Sequence, residues 1–303
     1  MKTLLTAALC TATQVAGGWA QSVPSIGAEG VVGFAGIQAV ASEHLLGLPA
    51  NPAVIAADRL WSAGLGSSAA SVTGIAERSL TASARIARFG LAGRITSRWI
   101  TNLFDDPALQ SDPNLRVETA EYAAGVSYRI VGAVRVGYTT FLTTGNVLGS
   151  AGSGTGHRIG VASPAWNWLR VGVVYGDAEA PTEWSSAEGA SVRERGTKRL
   201  SVGASTARLR TLPLEPAVAL EWNRNWGSDS DSWIRGSFSL SGLHGALQAL
   251  GGWAVCVTQT ARSYQELGFI ADVGRFQLQF GVRLGADPAP GNSSTLGAGV
   301  HHR

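Results

Sequence analysis

Two cysteines and five histidines are the side chains from which a metal site or a nucleophilic centre would be built. His44, His157 and His244 stand apart, and His301 and His302 are adjacent, so on a strand they diverge. None falls into a metal-spaced cluster with cysteine or carboxylate. There is no G-x-S-x-G elbow and no phosphate loop. Gly152-Ser153-Gly154-Thr155-Gly156 lacks the lysine and helix of a phosphate loop and reads as a connecting loop. The one Ser/His combination is Ser153 with His157, which would suit acyl hydrolysis at the outer rim of a barrel. It is a minor reading. The chain is read as a non-enzyme that needs no cofactor and no metal.

The residues that recur with a pattern are arginines. Arg94, Arg129, Arg135, Arg170, Arg235, Arg275 and Arg283 each sit on the polar side of an alternating segment, with Glu121, Glu221, Glu266 and Asp272 among them. The clearest segment is 275–284. Phe276, Leu278, Phe280, Val282 and Leu284 form one face, and Arg275, Gln277, Gln279, Gly281 and Arg283 the other. Successive strand side chains point to opposite faces, so this strand has one apolar and one polar side. About ten residues of that pattern suffice for a tilted strand to cross a bilayer. The same alternation recurs around Leu91–Arg98, Glu121–Ile130, Val134–Tyr138, Leu169–Tyr175, Leu200–Ser205, Val218–Asn223, Ile234–Leu240 and Glu266–Asp272. An arginine facing lipid at mid-depth costs roughly 2–4 kcal/mol, and seven would exceed the stability of a typical domain. The arginines therefore face inward, and pairing with the acids is a better account of them than anion selection.

Composition fits this reading. The 303 residues include 39 glycines, and only 15% are charged. No apolar run beyond the N-terminus is long enough for a membrane helix. A net charge of +3 is too small to imply a nucleic-acid partner. Residues 1–20 read as an export signal: Met1-Lys2, an apolar stretch from Thr3 to Val15, and Gly18-Trp19-Ala20 before Gln21. Leu9 before Cys10 argues against a lipoprotein. With the signal removed only Cys256 remains, so no internal disulfide can form.

Short connections are expected at Phe89-Gly90, Val131-Gly132, Pro164 to Asn167 and Val273-Gly274. Long ones are expected from Asn102 to Val117, Gly145 to Gly156, Asp177 to Gly196 and Gly285 to Ser294. Outer-membrane barrels alternate short periplasmic turns with long external loops. Counting through gives about fourteen strands between residues 60 and 303, with 275–284 the thirteenth, and an even count puts both barrel ends in the periplasm. Trp61, Trp99, Trp222, Trp226 and Trp253 lie near strand ends, where interfacial girdles form. The fold expected is an all-β antiparallel transmembrane barrel of about fourteen strands in the bacterial outer membrane, with outer-membrane lipid as its partner.

Residues 21–59 differ. Gly27, Gly30, Gly33 and Gly36 lead into a helix-like piece at Ala39–Leu46, and then Leu48-Pro49-Ala50-Asn51-Pro52-Ala53. Pro52 fixes its own φ and pushes Asn51 out of the helical region, a preset turn suited to a segment lodged in or under a barrel. The export signal, the Gly/Ala-rich lead, Ala41-Ser42-Glu43, the Asn51-Pro52-Ala53 turn and the barrel together resemble the PorV/PorQ proteins of the long-chain fatty-acid transporter (FadL) superfamily. Leu48-Pro49-Ala50 departs from the aromatic and acidic residues usual upstream of that turn. The resemblance implies that residues 21–59 plug the barrel. It further implies that the protein passes small hydrophobic molecules or serves the type IX secretion machinery, with secretion proteins as partners. A transporter calls for an apolar pocket among inner residues, and a platform for a filled lumen. A general porin-like barrel and a soluble secreted β-sandwich or propeller are the other readings.

Overall fold

The computed structural model describes residues 51–57, 59–70, 75–100, 117–147, 150–166, 168–177, 183–185, 189, 191–193, 198–206, 214–226, 230–243, 246–258, 263–285 and 293–302. These form one short 3-10 helix, Pro52–Val54, and sixteen strands. The first seven are β1 (Trp61–Ala70), β2 (Ile75–Ile86), β3 (Phe89–Ile100), β4 (Val117–Arg129), β5 (Arg135–Val147), β6 (Ser150–Trp166) and β7 (Leu169–Asp177). Then come two short strands, β8 (Glu183–Ser185) and β9 (Ser191–Arg193). The last seven are β10 (Lys198–Thr206), β11 (Glu215–Trp226), β12 (Ser232–Gly242), β13 (Leu247–Cys256), β14 (Tyr264–Val273), β15 (Phe276–Gly285) and β16 (Ser293–His302).

Fourteen of the strands pair antiparallel with their chain neighbours, β7 pairs with β10, and β1 pairs with β16. The ring is therefore closed. β8 and β9 lie outside it as a small hairpin on the free upper part of β6, with Gly152 opposite Trp184. Closure leaves the ring itself no edge strand, so its backbone N–H and C=O groups are satisfied by neighbours rather than water. That is the condition for a β structure to stand in hydrocarbon.

The faces sort as the alternation requires. On β15, the thirteenth strand of the ring, Phe276, Leu278 and Phe280 are 67%, 58% and 48% exposed, whereas Gln277, Gln279 and Arg283 are 4%, 1% and 5% exposed. A soluble sandwich or propeller would bury the first set; here it is outside. Leu65, Leu80, Leu91, Ile95, Ile159, Leu220, Phe238, Leu267 and Phe269 are likewise exposed on the outer wall.

Some expectations are corrected. Gly152–Gly156 is not a loop but the upper part of the 17-residue strand β6, and the 145–156 connection shrinks to residues 148–149. Its alternate glycines lie inward and admit rings: a side chain at Gly156 would overlap Phe141, and one at Gly152 would overlap Trp184. Glycine spacing that looks like a loop in one dimension is here one face of a strand covered by aromatics. Phe89-Gly90 opens β3 rather than forming a turn; the reversal falls on Ala87 and Arg88, with Ala87 at φ 54°. Asp177 to Gly196 carries the β8–β9 hairpin. Gly132 and Gly274, both at positive φ, do form tight turns, as only an achiral residue does without strain.

Phe280→Arg, midway along β15 on its outer face, is expected to lose roughly 2–4 kcal/mol in urea titrations of the protein folded into lipid vesicles. A loss near zero would mean that this face does not meet hydrocarbon.

Candidate functional site

The turn at Asn51 is built by local chemistry. Asn51 is extended (φ −89°, ψ 107°), and its Oδ1 accepts the Ala53 N–H at 2.9 Å, capping the 3-10 helix in which Pro52 holds the first position. The Asn51 side-chain amide then donates to the Val161 carbonyl of β6 at 3.1 Å. Ile55 O accepts from the Ser127 hydroxyl of β4 at 2.9 Å. Ala57 O accepts from Arg85 at 3.0 Å and from Arg135 at 3.1 Å. Asn51, Ala53 and Ile55 have no exposed surface.

The barrel wall makes room for this turn. Gly90 of β3, Gly137 of β5 and Gly160 of β6 lie inward, and a Cβ on each would overlap Ile55 O, the Pro52 carbonyl and Asn51 Oδ1 respectively. All three sit at the end of the ring where strands are joined by short turns and where β1 begins and β16 ends. Beyond the turn, Ile55 packs on Ala123 and Phe141 in a buried apolar cluster.

The inner wall carries cross-strand ion pairs. Arg94 reaches Glu121 from β3 to β4, its Nε at 3.1 Å. Arg98 donates to Glu77 at 2.6 Å, Arg235 to Glu221 at 3.4 Å, and Arg283 to Glu266 at 2.7 Å. His301 of β16 and Asp272 of β14 are 2.8 Å apart. Between the pairs lie buried apolar side chains: Phe141 and Val174, and a cluster of Trp233, Ala254, Cys256 and Tyr264 near the opposite mouth. Arg283 lies over the Tyr264 ring at 4.1 Å and Arg235 over Trp233 at 5.5 Å.

Of the residues singled out from sequence, Arg94, Glu221, Arg235, Glu266 and Arg283 point inward and are brought into these pairs, and Arg135 instead holds the Asn51–Ala57 segment. Arg129, Arg170 and Arg275 are exposed at the short-turn end, which corrects their assignment as lumen-lining. The strand parity of Arg129 and Arg170 is inward, but Arg129 ends β4 and Arg170 is the second residue of β7, and side chains so close to a strand end reach water past the rim; Arg275 belongs to the turn before β15. Ser153 and His157 form no pair. They lie on the outward face of β6, four residues or about 13 Å apart, and His157 Nδ1 meets the Tyr138 hydroxyl at 2.5 Å. Residues 1–50, including the proposed export signal and Ala41-Ser42-Glu43, lie outside the described residues. Sequence reasoning missed Arg85, Ser127 and the three glycines. Their signal was present: inward glycines near the same end of three strands within the β3–β6 stretch.

No protein-family model matches the sequence, and no curated protein matches it. Solved structures do. The toluene transporter TodX of Pseudomonas putida aligns with a TM-score of 0.61 at 11% identity, over 90% of this chain and 96% of TodX. The monoaromatic hydrocarbon channel CymD aligns at 0.62 and 14% identity, over 92% and 99%. The Ralstonia pickettii toluene transporter TbuX aligns at 0.58 and 11% identity, over 86% and 95%. The chain shares the fold of these channels. At these identities the likeness shows the fold alone and says nothing for PorV/PorQ in particular.

Removing one partner of a buried ion pair leaves an uncompensated charge. Glu121→Ala is therefore expected to lose about 3–5 kcal/mol by urea titration in vesicles, and Arg94→Met combined with Glu121→Leu to regain most of it. Equal losses in the single and double variants would show that the pair itself does not set the cost.

Proposed function

We propose that the chain is a bacterial outer-membrane channel for small hydrophobic molecules, gated at its short-turn mouth by the N-terminal segment 21–59. The observation that carries this reading is the seating of a fully buried Asn51-Pro52-Ala53 turn in the Gly90, Gly137 and Gly160 recesses of a closed barrel. A segment held by a few hydrogen bonds, each worth about 0.5–1.5 kcal/mol, can be displaced without unfolding the ring. The likeness to TodX, CymD and TbuX, named as hydrocarbon transporters or channels, supports an apolar cargo. Phe141, packed on Ile55, is an inward ring that displacement of the turn would uncover for such a cargo. In this reading the Arg–Glu pairs are struts of the lumen wall: each cancels its own charge, so the wall holds no net anion-selective field there. Export by residues 1–20 would bring the chain to the periplasm for insertion.

A secretion-associated barrel of PorV/PorQ type is the second reading. It draws on the 17-residue β6 and its β8–β9 hairpin, which extend the wall beyond β7 at the end opposite the Asn51 turn and offer a platform for protein partners.

Gly160→Val drives Asn51 from its seat and is expected to raise single-channel conductance several-fold in planar bilayers, with Asn51→Ala intermediate. Conductance equal to wild type in both variants would overturn the gating role of the turn.

A further inference from the structure

The outer wall is not uniformly convex. A groove of about 510 Å³ crosses five neighbouring strands, from β3 through β2, β1 and β16 to β15. At 4.8 Å per strand this is about 20 Å long. Its floor is low because Ser67 and Ala298 stand where neighbouring outward positions hold leucine; Leu80, Leu278 and Leu296 form its sides.

The groove has a direction. One row of register partners runs from Arg78 through Ser67 to Leu296, and the next from Leu80 through Leu65 and Ala298 to Leu278. Arg78 lies three residues from Ile75, the loop end of β2, whereas Leu278 lies two residues from Phe276, the turn end of β15. The groove therefore descends from the external boundary into the hydrocarbon layer. Its upper end holds a cation and its lower end is apolar. Arg78 is exposed on the outer face, and its guanidinium lies 5.4 Å from the centre of the Trp99 ring, one row closer to the loops. An outward arginine is inexpensive only near the interface, at about 0–1 kcal/mol, and its stem can lie along apolar surface while its head rises to the headgroups.

We propose that this groove is a binding site for a phosphate-bearing acyl lipid of the outer leaflet, its phosphate on Arg78 and one acyl chain laid over Ser67 and Ala298 toward Leu278. Charge complementarity decides the occupant. A purely apolar ligand would leave the guanidinium without an anion, and a second copy of this chain would bring the same cation against it. The proposal rests on the membrane-spanning reading but not on the channel reading.

The test is native mass spectrometry of the full chain released from vesicles containing equal phosphatidylglycerol and phosphatidylcholine of identical acyl chains. Wild type is expected to retain phosphatidylglycerol several-fold over phosphatidylcholine. Arg78→Ala should lose that preference, Arg78→Lys should keep part of it, and Ser67→Leu should lower retention of both lipids. No preference in wild type, or an unchanged one in Arg78→Ala, overturns the site. So does a discrete dimer that Ser67→Leu dissolves, which would give the groove to a second copy. A wild-type chain that fails to float with vesicles overturns the membrane reading itself, a result distinct from insertion without lipid preference.

Discussion

The pairing of β1 with β16 is the constraint on which the rest depends. It joins the first and last strands of the ring, from Trp61 with His302 to Ala70 with Ser293, and removes the two edges the ring would otherwise have. Once the ladder is closed, the two faces of every strand acquire fixed meanings, inside and outside. A single-residue slip would turn Phe276, Leu278 and Phe280 inward and Gln277, Gln279 and Arg283 outward. The cost of arginine in lipid thus fixes the register from outside, and the Arg94–Glu121, Arg235–Glu221 and Arg283–Glu266 pairs fix it from inside. The two requirements select the same alignment.

Closure also creates the site. The inner surface at the short-turn mouth is concave only because β3, β5 and β6 present Gly90, Gly137 and Gly160 there. The Asn51 turn fills that concavity, spending its side-chain amide on β6 and its carbonyls on Ser127, Arg85 and Arg135. Four strands and a flank of β2 therefore converge on seven residues of chain. A closed ring holding a small insert by a few hydrogen bonds is the arrangement on which the proposed gate rests.

What was legible in the sequence was whatever repeats with a period of two. The outward face of β15, its place as the thirteenth strand, the fourteen-strand ring and the inward direction of Arg94 and Arg283 all follow from alternation plus the cost of charge in lipid. The illegible parts were those where alternation stops or where height along a strand matters. Arg129 and Arg170 obey inward parity yet end beyond the rim, because parity gives direction and not depth. Gly152 to Gly156 imitated a loop, because a strand whose inner face is covered by Trp184 and Phe141 needs glycine at every second position. The seat of Asn51 could be named as a turn from Pro52, but the partners of the turn, Val161, Ser127 and Gly160, lie 72 to 110 residues away and become neighbours only on closure.

The central claim is that these strands close into a ring that stands in lipid. Gel migration of the protein extracted from outer-membrane fractions, loaded with and without boiling, tests it most directly. A closed ladder resists detergent until heated, so the account predicts membrane association and a faster-migrating unboiled band that shifts on boiling. A protein recovered in the soluble fraction, with a single band unaffected by heat, would contradict it.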